Sequence, residues 1–216
     1  MTDSSREAGT FITLEGPDGA GKSSQLGPLA ERIRELGLEC VATREPGSTE
    51  IGERVRDVVL QGGMREALTD ALLFNAARRQ HVQEIIRPAL ERGAVVVCDR
   101  YADSSMAYQG YGGGVPLDDV RAINWMATGG LMPDRTVLFD LPVEAGLERR
   151  ATGAVSDFTR FESREQHDLT FHQRVRDGYL EMAAADPERW RVIDAAQAAD
   201  AVADELWQAI RDLVET

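Results

Sequence analysis

The stretch Phe11-Ile12-Thr13-Leu14-Glu15-Gly16-Pro17-Asp18-Gly19-Ala20-Gly21-Lys22-Ser23 decides how this chain is read. Its first four residues form an apolar run of strand length, and Ser24 to Leu36 has the spacing of an amphipathic helix. Between them, Gly16 to Ser23 fits the pattern G-x-x-x-x-G-K-[ST], a phosphate-binding P-loop. The residue types follow from the task. Glycines let the backbone curl until successive N–H groups face a polyphosphate, and the helix N-terminus adds its partial positive charge. Lys22 reaches the β- and γ-phosphates in such a loop, and the Ser23 hydroxyl holds Mg²⁺. Lys22 is also the only lysine in the chain, every other strong base being arginine. A nucleoside triphosphate site at the amino end is the expectation.

Outward from this stretch, strands and helices alternate. Gly37 stops the first helix, and Leu38 to Ala42 reads as a second strand. Thr49 to Leu60 is helical, then Gln61-Gly62-Gly63 breaks the pattern. Glu66 to Arg92 has a long helical pattern, with Leu68, Leu72, Leu73 and Ala76 on one face and a bend before Pro88. Ala94 to Cys98 is continuously apolar, as a parallel strand covered on both faces requires. Asp99 to Gly114 reads as a polar, glycine-laden loop, the Gly110 to Gly114 run supplying flexibility, followed by a helix from Leu117 to Thr128. A strand over Arg135 to Leu141 and a helix begun at Glu144 lead into a polar stretch, Thr152 to Arg164. Helix resumes to about Ala184, Trp190 to Ile193 is the last strand, and Ala198 to Val214 the closing helix. The pattern predicts a doubly wound α/β fold: a five-stranded parallel sheet with helices on both faces. Ligands of such sheets bind at the carboxyl ends of the strands. Residues 10–216 form one domain on this reading, with Met1 to Gly9 a flexible tail.

Composition narrows the function classes. No apolar run approaches the ~18 residues that a membrane span needs, and the polar amino terminus lacks the apolar core of a signal peptide. A net charge of −13 with no broad basic face argues against nucleic acid as a partner. Cys40 and Cys98 each sit in a strand-like apolar run, reading as small core residues in a reducing compartment rather than as a disulfide or metal pair. A cytoplasmic protein that handles free nucleotides is the expectation.

Three further clusters fall at strand ends. Thr43-Arg44-Glu45-Pro46-Gly47 follows the second strand. Asp99-Arg100-Tyr101 follows the third, with Asp99 in the place of a Walker B carboxylate, although a local surface ion pair would give the same dipeptide. Arg149, Arg150, Arg160 and Arg164 mark a stretch of weak apolar periodicity, readable either as a solvated helix or as a lid closing arginines over a transferring phosphoryl group.

In order along the chain, these pieces resemble the thymidylate kinases. The resemblance rests on Glu15 to Ser23, Arg44-Glu45-Pro46-Gly47, Leu72-Leu73-Phe74 with Arg78 a helical turn later, and Asp99-Arg100-Tyr101 with Ser104 to Gly110. Pro133-Asp134 and Phe171 to Arg176 complete it. It implies phosphoryl transfer from ATP to dTMP with Mg²⁺, serving dTTP synthesis, in a homodimer formed through the helices around residues 50–60 and 66–90. ATP would be held by Gly16, Pro17, Asp18, Gly19, Ala20, Gly21, Lys22, Ser23 and Ser24, with Arg149. Arg44 and Arg100 would hold the acceptor phosphate, the Glu45-Pro46 bond would be cis with Pro46 among the dTMP contacts, Phe74 would stack on thymine and Arg78 would bond its exocyclic oxygen. Ser105 and Gln109 are implied at the base edge, Tyr108 beneath the deoxyribose, Asp18 near the sugar hydroxyl, and Asp99 with Ser23 at the metal. Lys22, Arg100, Asp18 and a lid arginine are the implied catalytic set. This chain has Gly19 where some members carry a P-loop arginine, so it resembles the bacterial subgroup whose catalytic arginine comes from the lid, about residues 150–165. Arg160-Phe161-Glu162 and Arg164-Glu165-Gln166 both align with the lid pattern; Arg160 is favoured, with Arg149 and Arg164 in support.

Other readings stand beside these. Phe74 could be core, Tyr108 and Gln109 could be surface residues, and His81, His167 and His172 show no metal spacing and receive no role. A kinase for another nucleoside or nucleoside monophosphate shares most of these features. A regulatory P-loop switch is disfavoured, because no Asn-Lys-x-Asp motif is present and Asp99 is followed by arginine.

Overall fold

The structure, a computed structural model, describes residues 9–61, 65–151 and 169–215. Five parallel strands, β1 (Phe11–Glu15), β2 (Cys40–Arg44), β3 (Val95–Asp99), β4 (Arg135–Asp140) and β5 (Trp190–Asp194), lie in the order β2-β3-β1-β4-β5. The P-loop strand is therefore central, and the chain changes direction across it. Every residue of β1 and β3 is buried, whereas the edge strands β2 and β5 carry exposed positions as well as buried ones.

Alternation explains the continuous apolar runs. Ile12 and Leu14, Val95 and Val97, and Val137 and Phe139 face one side, against α1 (Lys22–Glu35) and α9 (Ala199–Val214). Phe11, Val96 and Cys98 face the other, packing on Val82, Ile86 and Ala89. Leu138 on that side meets Phe171, Val175 and Tyr179 of α8 (Leu169–Ala185). Cys40 and Cys98 are buried free thiols, as expected.

Helices α2 (Glu50–Gln61) and α3 (Ala67–His81) pack against each other, and α3 also packs on α6 (Leu117–Thr128). The expected bend before Pro88 is a π-helical turn, Val82–Ile86, joining α3 to α4 (Arg87–Glu91). The wider turn accommodates a proline ring that a regular helix would press against the preceding carbonyl. Leu68 and Leu72, on the face marked by the sequence pattern, are exposed, Leu72 by 53%.

The segment read as a flexible loop, Asp99 to Gly114, is largely helical. Ala102–Ser105 forms the short α5, and Met106–Gly112 continues it as a π-helical segment. Its glycines serve close packing: a Cβ on Gly112 would lie 2.6 Å from Phe171 and 2.8 Å from Val175. Helix α7 (Val143–Ala151) precedes residues 152–168. The expected tail, apart from Gly9, and most of the expected lid, including Arg160 and Arg164, lie outside the described residues.

Candidate active site

The carboxyl ends of β1, β2 and β3 bring the sequence clusters together. Gly16 follows β1 with φ 140°, and a Cβ there would stand 2.5 Å from the Phe139 carbonyl oxygen. Gly19 has φ 79°, and a Cβ would meet the Gly146 carbonyl oxygen at 2.7 Å. A side chain at position 19 would not fit this backbone.

Lys22 opens α1 and is buried. Its Nζ donates to the carbonyls of Gly16 and Pro17, at 2.9 Å each, so the ammonium lies across the mouth of the loop. Burial, reinforced by the nearby Arg100 charge, lowers Lys22 from its usual 10.5 to about 8. Ser23 Oγ donates to Asp99 Oδ2 at 2.6 Å, and Asp99 Oδ1 is buried without a hydrogen-bond partner. Ser24 Oγ closes back on the Gly21 carbonyl at 2.7 Å. Arg149, on α7, donates to the Ala195 and Ala196 carbonyls at 2.9 and 3.4 Å and reaches the Gly19 carbonyl at 3.5 Å. It thereby borders the outer side of the P-loop.

Arg100 follows β3 in a left-handed conformation, φ 70°. Its guanidinium donates to Asp18, to the Gly16 carbonyl at 3.3 Å, to Ser104 Oγ at 3.2 Å and to the Tyr108 hydroxyl at 3.3 Å. Tyr108 OH in turn donates to Asp18 Oδ2 at 2.8 Å. Asp18, Arg100 and Tyr108, separated by up to 90 residues in sequence, form one cluster beside the P-loop. Tyr108 and Gln109 are buried on the π-helical segment, not surface residues.

Arg78 is 2% exposed, and each of its three guanidinium nitrogens donates to protein. Its Nε donates to Glu45 Oε2 at 2.7 Å, one terminal nitrogen to Asn75, Ser105 and Asn124, and the other to the Tyr101 carbonyl at 2.8 Å. Glu45 also meets His81 Nδ1 at 3.0 Å, and His81 Nε2 meets Thr43 Oγ1 at 2.7 Å. This buried network fixes the loop carrying Arg44 and the cis Glu45-Pro46 bond. Arg44 projects from the end of β2, 3.7 Å from Glu53, and the Pro46 carbonyl accepts from Arg56 at 3.2 Å. Phe74 is half-buried one helical turn before Arg78.

Sequence reasoning missed the connecting residues. His81, given no role, clamps the loop that carries Arg44; Asn75 and Asn124 bind Arg78. The available signal was polar residues at helical spacing, Asn75, Arg78 and His81, among apolar neighbours. Glu15 was missed as well. It is fully buried at the end of β1, and burial and then the nearby Asp103 raise its carboxyl from 4.5 to about 7.

The profile of the thymidylate kinase family matches residues 14–206. The chain is 49% identical to a thymidylate kinase of Thermomicrobium roseum over 205 residues, covering 95% of this chain and 96% of the relative. It is 50% identical to one from Deinococcus radiodurans over 205 residues, covering 94% and 97%. Among solved structures, the crystal structure of thymidylate kinase from Ehrlichia chaffeensis superposes with a TM-score of 0.74 at 32% identity, covering 94% of this chain and 99% of that one. The strand order, the P-loop with its lysine and the Asp18–Arg100–Tyr108 cluster thus sit in a chain that belongs to the thymidylate kinase family of ATP-dependent kinases.

Proposed function

We propose that this chain transfers the γ-phosphoryl group of ATP to the phosphate of dTMP, giving ADP and dTDP for dTTP synthesis, with the P-loop as donor site and the Arg44–Phe74–Arg100 crevice as acceptor site. The observation that carries this assignment is the meeting of Lys22 and Arg100 at the Gly16 carbonyl, which accepts from both. Donor and acceptor cations are thereby neighbours at a single strand end. Phosphoryl transfer of this type depends on alignment and charge neutralisation more than on a strong base. Lys22 neutralises the β/γ-phosphates, Arg100 and Arg44 hold the acceptor phosphate, and Asp18 meets the sugar hydroxyl. Phe74 stacks on the base, and Arg78 with Ser105 and Gln109 shapes its edge.

Mg²⁺ fits the residues present. Asp99 Oδ1 is a buried carboxylate oxygen without a hydrogen-bond partner, beside the Ser23 hydroxyl. Mg²⁺ at a nucleotide site is held chiefly by phosphates and one or two protein groups. Ser23 and Asp99 would hold it, and it would supply charge neutralisation at the phosphate oxygens. Arg160 is proposed as the lid arginine on the transferring phosphoryl group.

The working form is proposed as a homodimer. Ile51 and Val58 on α2 and Leu68 and Leu72 on α3 are exposed apolar side chains on the two helices expected at the interface. No helix among the described residues is long and apolar enough to cross a membrane, and the reading places the enzyme in the cytoplasm with nucleotides as its ligands. Two measurements test these assignments. A panel of nucleoside monophosphates at fixed ATP and Mg²⁺ should give dTMP the highest kcat/KM; preference for another monophosphate would overturn the substrate. Sedimentation should report a dimer that Leu72→Glu converts to monomer; a wild-type monomer would overturn the interface.

A further inference from the structure

The structure assigns Glu15 as a positioning residue: through the Tyr101 amide and the Ser104 hydroxyl it fixes both the backbone and the guanidinium of Arg100. This inference rests on the reading of Arg100 as a holder of the acceptor phosphate.

Arg100 adopts φ 70°, a left-handed conformation that a residue with a side chain enters only where its surroundings impose it. Two consecutive residues of β1 impose it here. The Arg100 amide donates to the Leu14 carbonyl at 3.0 Å, and the next amide, Tyr101, donates to Glu15 Oε1 at 2.7 Å. The peptide after the strained residue is thus held by a buried side-chain carboxyl oxygen, an acceptor that strengthens when the group ionises. The other oxygen, Oε2, accepts from Ser104 Oγ at 2.6 Å and from Tyr179 OH at 2.9 Å. With its proton turned to Glu15, Ser104 Oγ presents a lone pair to Arg100, whose guanidinium donates to it at 3.2 Å.

The arrangement explains why a carboxylate occupies a fully buried strand position. Glutamate there costs desolvation, yet an apolar residue in its place would leave the Tyr101 N–H without its acceptor, and one of the Ser104 and Tyr179 hydroxyls as well, since these lie 3.0 Å apart and only one can donate to the other. Because Glu15 immediately precedes Gly16, the same residue joins the P-loop to the acceptor arginine, so the two phosphates are aligned by a single strand end. Tyr179 extends the tie to α8, the helix that follows residues 152–168.

Steady-state kinetics and thermal melting of Glu15→Gln, Ser104→Ala, the double variant and Arg100→Ala test this. Glu15→Gln keeps an oxygen for the Tyr101 amide but places a donating NH₂ opposite Ser104, so the Ser104 proton must turn elsewhere. Loss of a hydrogen bond to a charged group is worth on the order of 10-fold in affinity, so each single variant should raise KM for dTMP by about that factor while KM for ATP stays within about twofold. The double variant should be no worse than about the weaker single, because both act through Ser104. A folded Glu15→Gln with KM for dTMP unchanged, or with both KM values and the melting temperature moving together, would overturn the inference. If Glu15→Gln does not fold, Ser104→Ala decides by the same criterion. An unchanged KM for dTMP in Arg100→Ala would instead overturn the assignment of Arg100, and the inference with it.

Discussion

The proposed donor and acceptor halves of the site are built in opposite ways. The donor half is local: Gly16 to Ser23 supply the loop, its lysine and its hydroxyl from eight consecutive residues between one strand and one helix. The acceptor half is assembled from β2, α3, the segment after β3, and α6, and its arginines are already paired: Arg78 with Glu45, Arg100 with Asp18. A loop of consecutive residues needs only the right backbone angles. A crevice of distant residues needs a buried framework, and the Thr43–His81–Glu45–Arg78–Asn124 network provides it. The donor half should therefore fail in chemistry when altered, and the acceptor half in stability as well as selection.

The largest effect is expected at Lys22. Lys22→Ala should cut kcat by about 10³-fold or more, the scale of a missing phosphate-directed cation, with the melting temperature nearly unchanged. Retention of more than about a tenth of wild-type turnover, only ~1.4 kcal/mol of barrier, would break the donor assignment. Glu45→Ala should do the reverse. It strands Arg78 and His81 in a buried site and should cost about 3–5 kcal/mol of unfolding free energy, as removal of one partner of a buried pair does. Urea denaturation measures this, and a loss below about 1 kcal/mol would show that the network is not the framework proposed.

The same contrast governs what could be read from the sequence. The P-loop, the five strands and α6 were legible because periodicity and a local motif specify them; α6 spans Leu117–Thr128 as expected. The segment after β3 was not. Its glycines suggest a loop, but Gly112 lets a π-helical turn approach Phe171 and Val175, a contact made with residues about 60 positions away in sequence. Arg78 was placed on the correct helix, yet its five protein partners come from four other segments and from α3 itself, and no spacing rule predicts that convergence. Glu15 was hidden for a different reason: a carboxylate ending an apolar strand looks like a solvent-facing terminus until the residues above it are known.

Tyr108 sharpens the acceptor side by separating ring from hydroxyl. The ring packs against Phe171 and Tyr179, while the hydroxyl donates to Asp18. If the ring excludes a ribose 2′-hydroxyl, Tyr108→Ala should lower the ratio of kcat/KM for dTMP over its ribo counterpart by about 10–100-fold, the equivalent of ~1–3 kcal/mol for a hydroxyl buried without a partner. Tyr108→Phe should keep that ratio while weakening use of the sugar hydroxyl through Asp18. A ratio unchanged in Tyr108→Ala would leave the ring as packing only.

The smallest expected effect is a slope, and it lies where the two halves join. Glu15 has its carboxyl raised from 4.5 to about 7, first by burial and then by Asp103, against the opposing pull of Ser104, Arg100 and the Tyr101 amide. Between these values the folded protein keeps a proton that the unfolded chain releases. Unfolded molecules then bind fewer protons than folded ones, so this group's contribution to stability is full below about pH 4.5 and falls as pH rises towards 7. Above about 7 both states are ionised and the contribution is flat. One proton corresponds to at most ~1.4 kcal/mol per pH unit, and the facing charges, Asp103 paired with Arg189 at 2.6 Å and Arg100 paired with Asp18, are untouched by substitution at position 15. Urea unfolding of wild type and Glu15→Gln at several pH values from about 5 to 8 isolates the term by subtraction. The wild-type stability minus that of the variant should decline from pH 5 to 7 and then level off. A difference that is constant over this range would mean that Glu15 is ionised throughout in the folded protein, and that the hydrogen bonds from Tyr101, Ser104 and Tyr179 outweigh its burial.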